Sequence, residues 1–313
     1  MITRRLVRVK TLQALYSWAQ NQGETTVQCR HDLRDAMLRT YEAYLLMLEL
    51  PFALNDYLIS EKEAEASKYF PDKEKIRSLQ LLAKNTAAQT LQEKIQPFKR
   101  KLLALDWPQL ADHFGDLYTA LLSQEFCQDY LVFEDPLHSQ QQQFLLDFYE
   151  WLFESYEPFH LLMEENYTAW SDDENLLGRE VKKTLQSMKN AETVVLSQPD
   201  SQGSEDVQFG LKLYDRVTSE SEDYESRIAG ITENWDPGRI AIIDLLCIKM
   251  ALAEFMHFAE IPVKVSINEY LDIIKNYSTP NSSRFVNGVL DKLRIRMEEN
   301  GSIQKAGRGL RDS

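Results

Sequence analysis

Four cations open the chain with no acid among them: Arg4, Arg5, Arg8 and Lys10. A helix would set Arg4 and Arg8 one turn apart on one face, and planar guanidinium forks so placed can hold phosphates bidentately. The plain alternative is a solvated helix edge. A second segment, Asn281-Ser282-Ser283-Arg284-Phe285-Val286-Asn287-Gly288-Val289-Leu290-Asp291-Lys292, follows Pro280 and begins with residues suited to cap a helix. There Arg284, Asn287 and Lys292 offer donors, and Phe285 offers a ring for a core or for stacking on an unpaired base. Gly288 would cost a helix interior about 1 kcal/mol relative to alanine, so a neighbouring helix, the commoner cause, or a ligand should approach its backbone. A third segment, Ile261-Pro262-Val263-Lys264-Val265-Ser266-Ile267-Asn268-Glu269, places a proline at a helix entrance and sets Lys264 and Asn268 four apart on one face.

No reaction centre accompanies these groups. The sequence has no dinucleotide or phosphate-binding glycine motif and no nucleophile elbow. His31-Asp32 is an isolated pair, and His113, His138, His160 and His257 show no ligand spacing. Asp172-Asp173-Glu174 reads as a helix start, where negative charge complements the dipole. No catalysis, cofactor or metal is therefore expected.

The elements that must position the cations are helical throughout. Glycine (11) and proline (10) are scarce among 313 residues, which disfavours a turn-rich β fold. Leu6, Val9, Leu12, Leu15 and Tyr16 form the stripe of a half-buried helix from about Thr3 to Ala19, ended by Asn21-Gln22-Gly23. Further helical patterns run over 32–68 with a break or kink at Pro51, 73–95, 108–133, 140–167 interrupted at Pro158, and 173–196. The polar run Ser197 to Ser204 reads as a linker, and four closely spaced helices follow over 209–232, 236–257, 263–277 and 282–299, a spacing that suits an antiparallel bundle. Residues 299–313 are expected to form a flexible tail.

Acidic residues outnumber basic ones by 49 to 35, a net charge of −14, so contact with a phosphate backbone must be local. Cys29, Cys127 and Cys247 are far apart in apolar helical patterns, which fits a reducing cytoplasm and no disulfide framework. No signal-peptide run follows the charged start, and no stretch is long and apolar enough to span a bilayer.

Taken together, Arg4-Arg5-x-x-Arg8 with Leu12-Gln13-Ala14-Leu15-Tyr16-Ser17-Trp18 resembles the opening helix of the NusB family. The 261–269 segment and Arg284-Phe285-Val286-Asn287-Gly288-Val289-Leu290-Asp291-Lys292 resemble two of its most recognisable segments, in the same order and spacing. Ile243-Asp244 and Ala251-Leu252-Ala253-Glu254-Phe255 fall where the family has an acidic position and an Ala-Leu-Tyr-Glu-Leu-like run. The resemblance covers residues 1–20 and about 207–298 and leaves 21–206 as a helical insertion of unassigned role. It implies an all-α helical bundle, the family's double three-helix bundle, that binds boxA RNA of nascent rRNA transcripts without catalysis. The implied partners are the ribosomal protein NusE and an RNA polymerase elongation complex with NusA and NusG. By position, Arg4, Arg5 and Arg8 match the arginine-rich RNA-binding motif, Arg284 and Phe285 match a lysine-phenylalanine pair near the RNA, and Asp244 matches an acidic position on the NusE surface. Leu6, Ser283 and Ala253 depart from a frequent arginine, histidine and tyrosine, which predicts weaker RNA affinity. The acidic middle would either confine RNA to the basic patch or dock another protein, in which case the chain is a helical protein-binding scaffold. A methyltransferase reading is disfavoured, because no nucleotide-binding α/β pattern follows.

Overall fold

The computed structural model describes residues 1–21, 26–98, 106–189, 193–198, 204–231 and 240–310. Among these residues there is no strand. In chain order the α-helices are α1 (Arg4–Gln20), α2 (Thr26–Ala66), α3 (Lys73–Ala83), α4 (Thr86–Ile95), α5 (Phe114–Leu122), α6 (Glu125–Leu131) and α7 (His138–Glu154). They continue with α8 (Glu157–Asn166), α9 (Trp170–Ser187), α10 (Glu205–Ser219), α11 (Ser221–Ala229), α12 (Ile242–His257), α13 (Val263–Tyr277) and α14 (Ser282–Glu299). The chain divides into two compact units, one of Met1 and Leu38–Pro199, the other of Ile2–Met37 and Asp200–Ser313. This division differs from the one expected at 21 and 206, and α2 crosses it at Leu38. Gln22 and Gly23 of the expected first stop, and residues 199–203 of the expected linker, lie outside the described residues.

In the unit of Ile2–Met37 and Asp200–Ser313, α1, α10 and α12 pack mutually, as do α12, α13 and α14. Two three-helix groups therefore share α12. Its sequence, IIDLLCIKMALAEFMH, is apolar nearly all round, as a helix buried on every side must be. At the crossing of α1 and α10, a Cβ on Gly210 would come within 2.7 Å of the Val7 side chain, so that approach requires glycine. Thr3 caps α1, its hydroxyl accepting from the Leu6 amide at 3.2 Å. Ser204 caps α10 in the same way through the Val207 amide.

The expected flexible tail is docked as far as it is described. Lys305 donates to the carbonyls of Glu254 (2.9 Å) and Phe258 (3.0 Å), and the Ala306 amide donates to Ala259 (3.1 Å). A lysine can satisfy the carbonyls that a helix C-terminus leaves open, and α12 ends at those residues. Burial lowers the Lys305 ammonium to about 8, partly offset by the Glu254 charge.

The unit of Leu38–Pro199 centres on α7, which packs on α4, α6, α8 and α9. Tyr44, Met47, Trp107, Phe148, Leu152 and Trp170 belong to its buried cluster. The break expected at Pro51 is absent, since α2 is continuous through it. A helical proline cannot donate to the carbonyl four residues back, and its ring crowds that carbonyl. Here the carbonyl is that of Met47, and the Tyr149 hydroxyl donates to it, while Trp107 Nε1 donates to the preceding Leu46 carbonyl at 2.7 Å. Pro158, by contrast, sits in the first turn of α8, where no intrahelical donor is lost.

Candidate nucleic-acid interface

The cations of α1 are largely committed to the protein itself. Arg8 is 3% exposed, and its guanidinium binds both oxygens of the fully buried Glu254, at 2.7 and 3.0 Å. Ser266 and Tyr270 also donate to that carboxylate, at 2.5 and 2.6 Å. Burial alone would lower the Arg8 pKa, but the charge and hydrogen bonds of Glu254 outweigh it and hold the cation firmly protonated. Arg8 is therefore a strut between α1, α12 and α13, which corrects its expected role on a phosphate-tracking face. Lys10 is also buried. Arg4 is half-exposed, pairs with Asp206 at 2.5 Å and lies 4.5 Å over the Phe209 ring. Arg5 is exposed but spans Glu269 and Asp272, with three contacts of 3.0 Å.

Those two carboxylates lead from α1 to the second segment. Across the short connection 278–281, α13 and α14 pack side by side. Between them lies an open groove of about 660 Å³ lined by Asn268, Asp272, Lys275, Arg284 and Asn287, among others. Three of the residues singled out in the sequence thus share one groove, and Arg5 reaches its edge through Asp272. Lys275 was not singled out, although it stands seven residues after Asn268 and so on the same helical face. It donates to Asp272 at 2.8 Å, and this bond, with Arg5, holds the Asp272 carboxyl below its usual range.

Along α14, Arg284, Gly288 and Lys292 recur every fourth residue and are exposed. At 1.5 Å rise per residue the line is about 12 Å long. Among the described residues, Lys264, Arg284 and Lys292 form no ion pair, and Asn268 and Asn287 are exposed with no side-chain hydrogen bond. A Cβ on Gly288 would meet nothing within 4 Å. Close helix packing is therefore not the reason for this glycine, unlike Gly210. Phe285 is half-buried, intermediate between the core and stacking positions open to it.

Asp244 points inward. It is 4% exposed and accepts from the Ser278 hydroxyl at 2.6 Å, and Ser278 in turn bonds Ser282 at 3.0 Å. Its visible work is to anchor the turn that starts α14, not to present a carboxylate to a partner. Among the described residues no group of three or more His, Cys, Asp or Glu side chains is placed to hold a metal ion. None of their helices is long and apolar enough to cross a membrane.

Comparison with known proteins bears on this region. The model of the NusB family matches residues 166–294. The transcription antitermination protein NusB of Geobacter sulfurreducens is 32% identical over 93 residues, 30% of this chain and 67% of that protein. The chain belongs to the NusB family. The NusB protein of Chloroherpeton thalassium is 41% identical over 104 residues, 33% of this chain and 49% of that protein. That of Salinibacter ruber is 39% identical over 102 residues, 33% of this chain and 64% of that protein. The chain thus spans about half to two thirds of these relatives, and most of Leu38–Pro199 lies outside the NusB family match. No solved structure matches the chain.

Proposed function

We propose that this chain is a cytoplasmic, non-catalytic transcription antitermination factor that binds boxA-type RNA of nascent rRNA transcripts. The observation that carries the reading is the exposed line of Arg284, Gly288 and Lys292 on α14, with Asn268 and Asn287 sharing one groove with Arg284, and with Lys264 exposed on α13. These cations are free of ion pairs among the described residues, whereas the arginines of α1 are held by acids, Arg4 by Asp206 of α10, Arg5 by Glu269 and Asp272 of α13, and Arg8 by Glu254 of α12. A glycine with open space over it lets a sugar-phosphate strand approach the helix backbone closely, and neighbouring asparagines can read base edges of an unpaired strand. In this reading the RNA-binding domain is 1–20 with 207–298, and residues 21–206 are an insertion. Arg4 and Arg5 border the RNA and become available when it competes for their carboxylate partners.

NusE is the proposed protein partner on RNA, and RNA polymerase with NusA and NusG is the proposed complex; membership of the NusB family supports both. Asp244 would act on the NusE surface only through the turn it anchors. The test is fluorescence anisotropy with a boxA-type RNA and a scrambled RNA, each with and without NusE. Preferential binding of the boxA-type RNA, strengthened by NusE, is expected. Equal affinity for both RNAs in both conditions would overturn the reading.

A further inference from the structure

Residues 102–178 contain no lysine or arginine and sixteen aspartates and glutamates. The stretch includes α5 to α8 and the start of α9, and one of its faces is better defined than the rest. On α8, Glu157, Leu161, Glu164 and Glu165 are exposed, and Leu161 is 54% accessible. Their three- and four-residue spacing places them on one side of the helix. None of these glutamates makes an ion pair or side-chain hydrogen bond among the described residues, nor does Glu154 at the end of α7.

A groove of about 340 Å³, lined by Leu146, Phe153, Glu154 and Glu174 among others, adjoins this face, and Glu174 is paired with His160 at 3.2 Å. His160 of α8 lines it too, and Glu157 and Glu164 flank His160 by one turn on either side. The basic residues on the α9 side are already matched, Lys182 to Glu150 at 3.5 Å and Arg179 to Glu180 at 3.8 Å. The surface therefore joins unpaired carboxylates to apolar groove residues and an exposed leucine. It would repel a nucleic acid. Charge complementarity selects a cationic occupant, and the apolar groove residues select one that also carries an aliphatic or aromatic side chain.

We propose that α8 and the α7/α9 groove dock a lysine- or arginine-rich segment of a partner protein. Its cations pair with Glu154, Glu157 and Glu164, and an apolar side chain rests on Leu161 and the apolar groove residues. The inference concerns Leu38–Pro199 and does not depend on RNA binding by α13 and α14.

The experiment is calorimetric titration of the full-length protein, at physiological salt, with a synthetic helical peptide of lysine, arginine and leucine. A counterpart carries glutamate in place of every cation. The cationic peptide should bind and the acidic one should not. Glu157→Lys with Glu164→Lys should weaken binding about tenfold or more, and Leu161→Ser should weaken it severalfold. Glu134→Lys with Asp135→Lys, an exposed acidic pair outside this surface, should leave it unchanged. All five positions are exposed, and circular dichroism verifies that each variant folds. No binding of the cationic peptide would overturn the proposal, as would equal loss in the two charge-reversed pairs, which would mean general attraction to an acidic body.

Discussion

Arg8 and Glu254 form a bidentate ion pair inside the bundle, with the guanidinium 2.7 and 3.0 Å from the two carboxylate oxygens. Ser266 and Tyr270 complete the acceptor sites of Glu254, so the carboxylate is buried but fully satisfied. Removing one partner strands the other charge, which typically costs about 3–5 kcal/mol. Arg8→Ala is expected to lower unfolding stability by that order, measured by denaturant titration. The folded fraction should keep the salt dependence of RNA binding seen in the parent protein. A stable Arg8→Ala protein with a shallower salt dependence would assign Arg8 to the RNA instead.

Gly288 is exposed within α14 and faces open space. Gly288→Ala should stabilise the helix by up to about 1 kcal/mol, because nothing obstructs the added methyl group. The same methyl would hold a nucleic-acid strand off the backbone. RNA affinity is therefore expected to fall while the melting temperature rises, a stability and function trade-off. Unchanged affinity in the stabilised variant would show that no ligand approaches there.

Tyr149→Phe removes the donor that serves the Met47 carbonyl opposite Pro51. A buried carbonyl left without a donor costs about 1–3 kcal/mol. Denaturant unfolding of Tyr149→Phe should show a loss in that range. Pro51→Ala restores a backbone donor at that point, so Tyr149→Phe should cost less in a Pro51→Ala background.

These contrasts explain what the sequence made legible. The helices α13 and α14 were readable because their signals are local: Pro262, Pro280, the capping residues and a regular apolar stripe all lie within a few turns. The proximity of Asn268, Arg284 and Asn287 followed from a short connection between two such helices. The continuity of α2 through Pro51 was not legible, because the donor that serves the Met47 carbonyl comes from 102 residues away. The burial of Arg8 was hidden for the same reason, with its partner 246 residues along the chain. A basic residue in an acid-free segment looks solvent-facing until the carboxylate it meets in the fold is known. The docked tail was missed because Lys305 is held by carbonyls, which leave no mark on side-chain pattern.

Lys305 gives a pH prediction. Its ammonium is lowered from 10.5 to about 8 by burial, with Glu254 opposing. Between those values the unfolded chain binds more protons at this site than the folded one, so this group's contribution to stability rises with pH from about 8 toward 10.5. Below about 8 both states are protonated and the contribution is flat. Heteronuclear NMR of the lysine side chains should show one group titrating near 8, absent in Lys305→Met. A Lys305 resonance titrating at the ordinary lysine value would mean that the tail is not docked in solution.

The central claim is that RNA contacts the unpaired cations of α13 and α14 more than the committed ones of α1. The salt dependence of boxA-type RNA affinity tests it most directly, because each phosphate contact to a single strand contributes about 0.7 to the slope of log affinity against log salt. The triple variant Lys264→Ala, Arg284→Ala, Lys292→Ala should lower the magnitude of that slope by about 2, with Arg4→Ala and Arg5→Ala each changing it less. An unchanged slope in the triple variant would contradict the claim.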